Sequence, residues 1–107
     1  MFMSEKYITG VVKLPGEEAV VMTNIKNTLE GFQALVKGYI ETVTFEDCVV
    51  ICNEEGRILR MAPNCRFRGI NFFGPIVVVD TYGEEFASLQ IVSPESIAAE
   101  LDDGSYE

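Results

Sequence analysis

The sequence contains no histidine, so the side chain that most often acts as a general base near neutral pH is absent. Serine–histidine and cysteine–histidine nucleophile pairs are excluded for the same reason, as is every zinc site that needs imidazole. Three cysteines are too few for a four-cysteine zinc site, and the sequence contains no C-x-x-C pair and no glycine-rich phosphate-binding motif. We therefore predict a protein that is not an enzyme and has no catalytic residues, metal or cofactor.

Adjacent carboxylates are the remaining candidates for acid–base chemistry. Such a pair can act as acid and base only if burial raises the pKa of one member. Each pair in this sequence lies in or beside a predicted turn, where water keeps both groups ionised. We expect none of them to be catalytic: Glu17-Glu18, Glu54-Glu55, Glu84-Glu85 and Asp102-Asp103.

Basic residues are scarce, with 8 lysines and arginines against 17 aspartates and glutamates, and the net charge is −9. Proteins that bind nucleic acid by neutralising its phosphates, or that bind anionic membranes, need the opposite balance. We therefore predict no direct nucleic-acid binding and no membrane partner. An acidic surface could mimic nucleic acid, although solubility alone is a sufficient explanation.

Long apolar runs are also missing, and none approaches the length of a membrane-spanning helix. The first residues, MFMSEKYITG, lack the apolar core of a signal peptide, so we expect a cytoplasmic protein. The odd number of cysteines suits that compartment, because a small secreted domain usually carries an even set of disulfides. We expect Cys48, Cys52 and Cys65 to be reduced and mostly buried.

What the chain does contain is typical of a globular protein: 107 residues, of which 48% are hydrophobic. This size and composition predict a single domain over residues 1–107, with a frayed acidic tail from residue 102. The order of predicted elements is two strands, a helix, two hairpins and a short helix. The fold class is therefore α+β, with a mainly antiparallel sheet built from hairpins.

Two helices are predicted. The central helix spans about residues 28–37: Asn27 and Glu30 resemble a capping box, an apolar stripe follows, and Gly38 is suited to end the helix. The C-terminal helix spans about residues 94–101, because Ser93 can cap it and proline is favoured at the first helical position.

The predicted strands are short and rich in β-branched residues. The wholly apolar residues 48–52 and the β-branched residues 76–79 are expected to be central strands. Turn residues predict that 53–56 joins the first of these to a return strand at 57–61, and that 80–83 joins the second to a return strand at 84–91. Residues 62–74 are expected to be irregular. The other predicted strands are residues 6–14, 19–23 and 39–45.

The one strong charge asymmetry is an arginine-rich segment. All four arginines of the chain lie between residues 57 and 68, and residues 56–79 contain no acidic residue. Arginine donates paired hydrogen bonds to phosphate and carboxylate, and the interleaved phenylalanines could stack on a base. Alternatively, the arginines pair with the protein's own surface carboxylates. The candidate ligand-binding residues are Arg57, Arg60, Asn64, Arg66, Phe67 and Arg68.

Several stretches carry a resemblance to a known family: NTLEGFQALVKG from residue 27, then YIETV, VVICNEEGR, APN and GPIVVVDTYGEEFASL. Over about residues 28–89, the chain resembles an uncharacterised family of short bacterial and phage proteins, a domain of unknown function common in Firmicutes and their mobile elements. The family has no established catalytic residues, so the resemblance implies none. It implies a phage or mobile-element accessory protein in the host bacterial cytoplasm, and such proteins often disarm host defence by binding.

Two functions are therefore expected as alternatives. In the first, the protein is a counter-defence protein whose arginine-rich segment binds and sequesters a phosphorylated, nucleotide-like small molecule. In the second, its acidic surface inhibits a host defence protein, in the manner of a nucleic-acid mimic. A homo-oligomer is compatible with either, because a sheet edge or the helix face can make a symmetric contact.

Overall fold

A computed structural model describes residues 6–104. Within this range every strand pairing is antiparallel, which confirms the predicted α+β class. No helix in this range is long and apolar enough to cross a membrane. The elements in chain order are β1 (Tyr7–Lys13), β2 (Val20–Lys26), α1 (Leu29–Val36), β3 (Ile40–Thr44), β4 (Val49–Asn53), β5 (Pro63–Phe67), β6 (Ile70–Phe73), β7 (Ile76–Tyr82), β8 (Glu85–Ala87) and α2 (Pro94–Asp103).

The main sheet has the order β2-β1-β7-β4-β3, and β8 pairs with the far end of β7. Strands β4 and β7 lie at its centre, as their apolar composition predicts, and every residue of β4 is buried. Successive side chains of a strand point to opposite faces, so β7 contributes to two separate cores. Val77 and Val79 pack with α1 on one face, whereas Ile76 and Val78 pack with α2 and the β5–β6 hairpin on the other.

Both helices form where the sequence predicts them, with corrections at their ends. Thr28, rather than Asn27, caps α1: its side chain accepts a hydrogen bond from the Gly31 amide at 2.9 Å. The side-chain amide of Asn27 instead donates to the Phe86 carbonyl oxygen at 3.1 Å, and this hydrogen bond joins the start of α1 to β8. At the other end Lys37, not Gly38, has the left-handed conformation, with φ of 66°.

Helix α2 begins as predicted, with Ser93 as its cap and Pro94 in its first turn, but it extends to Asp103. The predicted frayed tail is therefore wrong for residues 102 and 103. The Asp102 carboxylate accepts a hydrogen bond from the Ala19 amide at 2.8 Å, a contact that holds the last turn of α2 against the chain before β2. Residues 105–107 lie outside the described range.

The predicted return strand at residues 57–61 is wrong. Both edges of β4 are already paired, by β3 and β7, so no further strand can join it there. The chain leaves the sheet at Asn53, whose side chain accepts from the Glu55 amide at 2.7 Å and donates to the Val36 carbonyl at 3.0 Å. Residues 54–62 then form a compact loop outside the sheet, which we call the Ile58 loop.

Residues 62–74 are not irregular, as predicted, but contain the β5–β6 hairpin. Its two-residue turn consists of Arg68 and Gly69, with φ of 51° and 86°, as a type I′ turn requires. Asparagine and glycine are usual at the first turn position, so an arginine there hides the hairpin from sequence-based reasoning. The hairpin covers the α2 face of the main sheet through Cys65, Phe67 and Phe72.

Arg68 holds the tip of this hairpin against two other elements. Its Nε donates to Glu100 of α2 at 2.9 Å, and its Nη2 donates to Asp47, in the β3–β4 turn, at 3.1 Å. The guanidinium also lies over the rings of Phe67, at 4.8 Å, and Phe45, at 5.3 Å. The hydrogen bonds from Arg68 lower the pKa of Asp47 below its usual value. Arg68 therefore links hairpin, helix and turn.

Replacing this arginine should destabilise the fold. We expect Arg68→Ala to lower the free energy of unfolding by about 1–2 kcal/mol, because a partly exposed ion pair contributes up to about 1 kcal/mol and stacking adds about 0.5–1 kcal/mol. Arg66→Ala is the matched control, since Arg66 lies on the same hairpin with a single hydrogen bond, to Asn71, at 3.3 Å. Urea unfolding measures both, and equal losses would contradict the role of Arg68.

The stabilisation by Arg68 should also depend on pH. Because the pKa of Asp47 is lowered in the folded state, its contribution is present above the ordinary carboxyl pKa of 3.8 and is lost as the pH falls through the lower folded-state value. We therefore expect the stability difference between the wild type and Arg68→Ala to shrink below about pH 3.8. Urea unfolding of both proteins between acid and neutral pH measures it, and a difference independent of pH would contradict the ion pair with Asp47.

All three cysteines are free and buried, as expected. Burial raises the pKa of Cys48 to about 12, that of Cys52 to about 11, and that of Cys65 above its usual value. Since the thiolate is the reactive form, buried neutral thiols react slowly. We expect a thiol reagent to titrate three groups per chain in denatured, unreduced protein and to react far more slowly with the native fold. A count of one in the denatured protein would reveal a disulfide and contradict this prediction.

Candidate functional site

Three of the six candidate residues make contacts within the fold, and only Arg57 among the other three lines a cleft. Asn64, Phe67 and Arg68 make contacts within the fold, whereas Arg57, Arg60 and Arg66 are exposed. Within residues 6–104, Arg68 forms ion pairs and the other three arginines form none. The alternative, in which the arginines pair with the protein's own surface carboxylates, therefore holds for Arg68 and not for the other three.

Asn64 and Phe67 owe their positions to packing. The side-chain amide of Asn64 donates to the carbonyl oxygens of Lys13 and Gly74, each at 2.8 Å, and so joins β1 to the chain before β7. Its Oδ1 atom is buried and has no hydrogen-bond partner among the described residues. The Phe67 ring is buried and meets the Phe45 ring edge to face, with 5.5 Å between ring centroids. Neither side chain is exposed to a ligand from solvent.

A cleft of about 240 Å³ lies where the Ile58 loop and β6 approach the β3–β4 hairpin. We call it the Arg57 cleft. It exists because β4 cannot accept a return strand, so the chain turns aside at Asn53 and leaves a gap beside β6. Its lining combines one arginine, two glutamates, two asparagines and several apolar groups: Glu41, Val43, Cys52, Asn53, Glu54, Gly56, Arg57, Ile70, Asn71, Phe72 and Phe73.

One arginine lines this cleft, and a second is hydrogen-bonded to one of the lining residues. The Arg57 guanidinium lies 4.8 Å from the centre of the Phe73 ring, and this cation–π contact orients it without neutralising its charge. Arg66 lies outside the lining and donates to the Oδ1 of Asn71, a lining residue, at 3.3 Å. The two guanidinium groups leave most of their donors for a ligand, because the described residues offer neither of them a carboxylate partner.

Two carboxylates lie in the same cleft, and sequence reasoning did not place them there. Glu41 is an exposed residue of β3 on the same face as the half-buried Val43, and Glu54 follows β4 at the start of the Ile58 loop. Their presence makes the cleft amphoteric, with a donor end at Arg57 and acceptor groups at Glu41 and Glu54. Alternation along residues 39–45 could have placed Glu41 on the face of Val43, but no local signal links it to Arg57.

The adjacent carboxylate pairs, which the sequence offers as candidates for acid–base chemistry, lie at the surface. All eight of their members are exposed to solvent. Within residues 6–104, side chains that could together hold a metal ion do not cluster.

Comparison with known proteins places the chain in a family. The family model described as "Domain of unknown function (DUF3846)" matches residues 8–100, which include α1, most of α2 and all the residues that line the Arg57 cleft. No curated protein and no solved structure matches the chain. Because the match runs through nearly the whole chain, from β1 to α2, the protein belongs to the DUF3846 family.

Proposed function

We propose that this protein is a non-catalytic binding protein whose Arg57 cleft holds a small anionic, nucleotide-like molecule. The observation that carries the proposal is the position of Arg57. Its guanidinium lies over Phe73 at the cleft and has no ion-pair partner among residues 6–104, in a chain of net charge −9. A cation that is surrounded by an excess of acids but pairs with none of them is available to a ligand's anionic group.

The chemistry of this arginine suits phosphate. A guanidinium donates two parallel hydrogen bonds to two oxygens of one phosphate, and stacking on an aromatic ring keeps its plane fixed. Arg66 lies outside the lining but is hydrogen-bonded to Asn71, a lining residue, and so adds positive charge near the cleft. Positive charge on this side of the cleft favours a phosphorylated ligand over an uncharged one.

The carboxylates define what the rest of the ligand must offer. Glu41 and Glu54 repel a second anionic group but accept hydrogen bonds from amino and imino groups. Guanine carries an imino and an amino donor on one edge, which match the two oxygens of a carboxylate. A guanine nucleotide therefore complements both ends of the Arg57 cleft, with phosphate at Arg57 and base at a glutamate.

The size of the cleft limits the ligand. Its volume of about 240 Å³ lies just below the range of roughly 300–1,000 Å³ that is usual for small-molecule sites. A mononucleotide, linear or cyclic, fits this scale better than a dinucleotide. Binding without catalysis would sequester such a molecule, which suits a counter-defence protein of the kind that the resemblance to phage accessory proteins implies.

The test is calorimetry with guanosine and adenosine mononucleotides, their cyclic forms and inorganic phosphate. We expect the guanosine compounds to bind most tightly, and Arg57→Gln to weaken their binding about tenfold to a hundredfold, because a charge-assisted hydrogen bond contributes about 1.5–3 kcal/mol. Lys26→Gln is the matched control: it removes one positive charge from an exposed position on β2, away from the Arg57 cleft.

The control separates a specific site from a general charge effect. If Lys26→Gln weakens binding as much as Arg57→Gln does, the contact with Arg57 is not specific. If none of the nucleotides binds to wild-type protein, the proposal is overturned in favour of inhibition through the acidic surface. Thermal unfolding of both variants shows whether each remains folded, so that a loss of binding is assigned to the side chain.

A further inference from the structure

The Ile58 loop exposes two aliphatic side chains that a folded protein would ordinarily cover. Ile58 is 77% exposed and Leu59 is 58% exposed, and Ile58 is the most exposed large hydrophobic residue in the described range 6–104. They are adjacent and lie between Arg57 and Arg60 at the tip of the loop. Neither residue of this apolar tip lines the Arg57 cleft.

The loop is held in one conformation by its own backbone. The Leu59 amide donates to the Glu55 carbonyl at 2.8 Å, and the Met61 amide donates to the Gly56 carbonyl at 2.9 Å. Arg60 closes this turn in the left-handed region, with φ of 55°, where glycine is favoured. Strain of this kind is retained where the residue serves another purpose, and Arg60 has no ion pair within residues 6–104 to explain it.

A groove lies directly beside the loop. Its volume is about 380 Å³, and it opens between the β1–β2 turn, the end of α1 and the chain on either side of the β5–β6 hairpin. The lining is mainly apolar, with one acidic and one basic residue: Leu14, Pro15, Glu17, Lys37, Met61, Ala62, Gly74 and Pro75. We call it the Pro15 groove. Met61 lines this groove and lies two residues after Leu59, so the backbone places the apolar tip within about 7 Å of the edge of the groove.

We propose that this surface binds a second copy of the same chain, with Ile58 and Leu59 of each copy seated in the Pro15 groove of the other. A two-fold axis between an adjacent tip and groove makes both contacts at once, which is the arrangement of an isologous dimer. Burial of four aliphatic side chains in two apolar grooves supplies the association energy.

The charged residues of the loop and the Pro15 groove favour a second copy of the chain as the partner. The loop carries Arg60 and Glu55, and the groove carries Glu17 and Lys37. In the two-fold arrangement each loop therefore brings a cation and an acid to a groove that holds an acid and a cation. A basic partner would be repelled by Arg57 and Arg60, and an acidic partner by Glu17 and Glu55, so the surface complements itself best.

The dimer is tested by sedimentation of the full chain over a range of concentrations. We expect wild-type protein to approach twice the 11.9 kDa mass of one chain as the concentration rises. Ile58→Ser with Leu59→Ser should raise the dissociation constant at least about tenfold, because both tips lose their apolar groups. Ile91→Ser, which alters a residue 70% exposed outside this surface, should leave the dimer unchanged.

A charge exchange separates a specific interface from simple hydrophobic association. Arg60→Glu alone and Glu17→Arg alone should each weaken the dimer, and the two changes together in one chain should restore it. A wild-type protein that is monomeric at its highest soluble concentration overturns the proposal, as does a dimer that the Ile58 and Leu59 changes leave intact. Nucleotide binding is measured separately at Arg57, so either result stands apart from the ligand proposal.

Discussion

Strand β7 is the element on which both layers of the protein depend. It pairs with β1 on one edge and β4 on the other, and its side chains alternate between the two apolar clusters. Helix α1 packs on the face of Val77 and Val79, and α2 packs with the β5–β6 hairpin on the face of Ile76 and Val78. Each layer is therefore positioned by two of four consecutive residues of β7, all of them fully buried.

The loop and the hairpin on the surface form because β4, the strand next to β7, is paired on both of its edges. Because β4 is paired on both edges, the chain after Asn53 cannot continue the sheet and must find hydrogen bonds elsewhere. Asn53 supplies the first of them by bonding to Glu55 and to the end of α1. The Ile58 loop and the β5–β6 hairpin result. The Arg57 cleft lies between them and the β3–β4 hairpin, and the Pro15 groove lies where the loop meets the ends of β1 and α1 and the start of β7.

Three of the four arginines show how one residue type takes different roles in one segment. Arg68 is bound by Asp47 and Glu100 and stabilises the hairpin tip, so its charge is satisfied within the fold. Arg57 lies over an aromatic ring, which orients the guanidinium but leaves its hydrogen-bond donors available. Arg60 occupies a strained backbone position at a loop tip. The first role concerns stability, and the other two underlie the proposed ligand and dimer contacts.

The sequence alone determined the features that depend on neighbouring residues. Apolar and β-branched composition identified β4 and β7 as central strands, and Ser93-Pro94 identified the start of α2, because propensity and capping act within a few residues. It also identified an arginine-rich segment as the candidate site. Whether residues 57–61 could form a strand depended instead on whether β4 had a free edge. Which arginine forms ion pairs within the fold depended on Asp47 and Glu100, which are distant in the chain. Only the tertiary structure decides such questions, because strand edges and ion-pair partners are supplied by residues that are far apart in sequence.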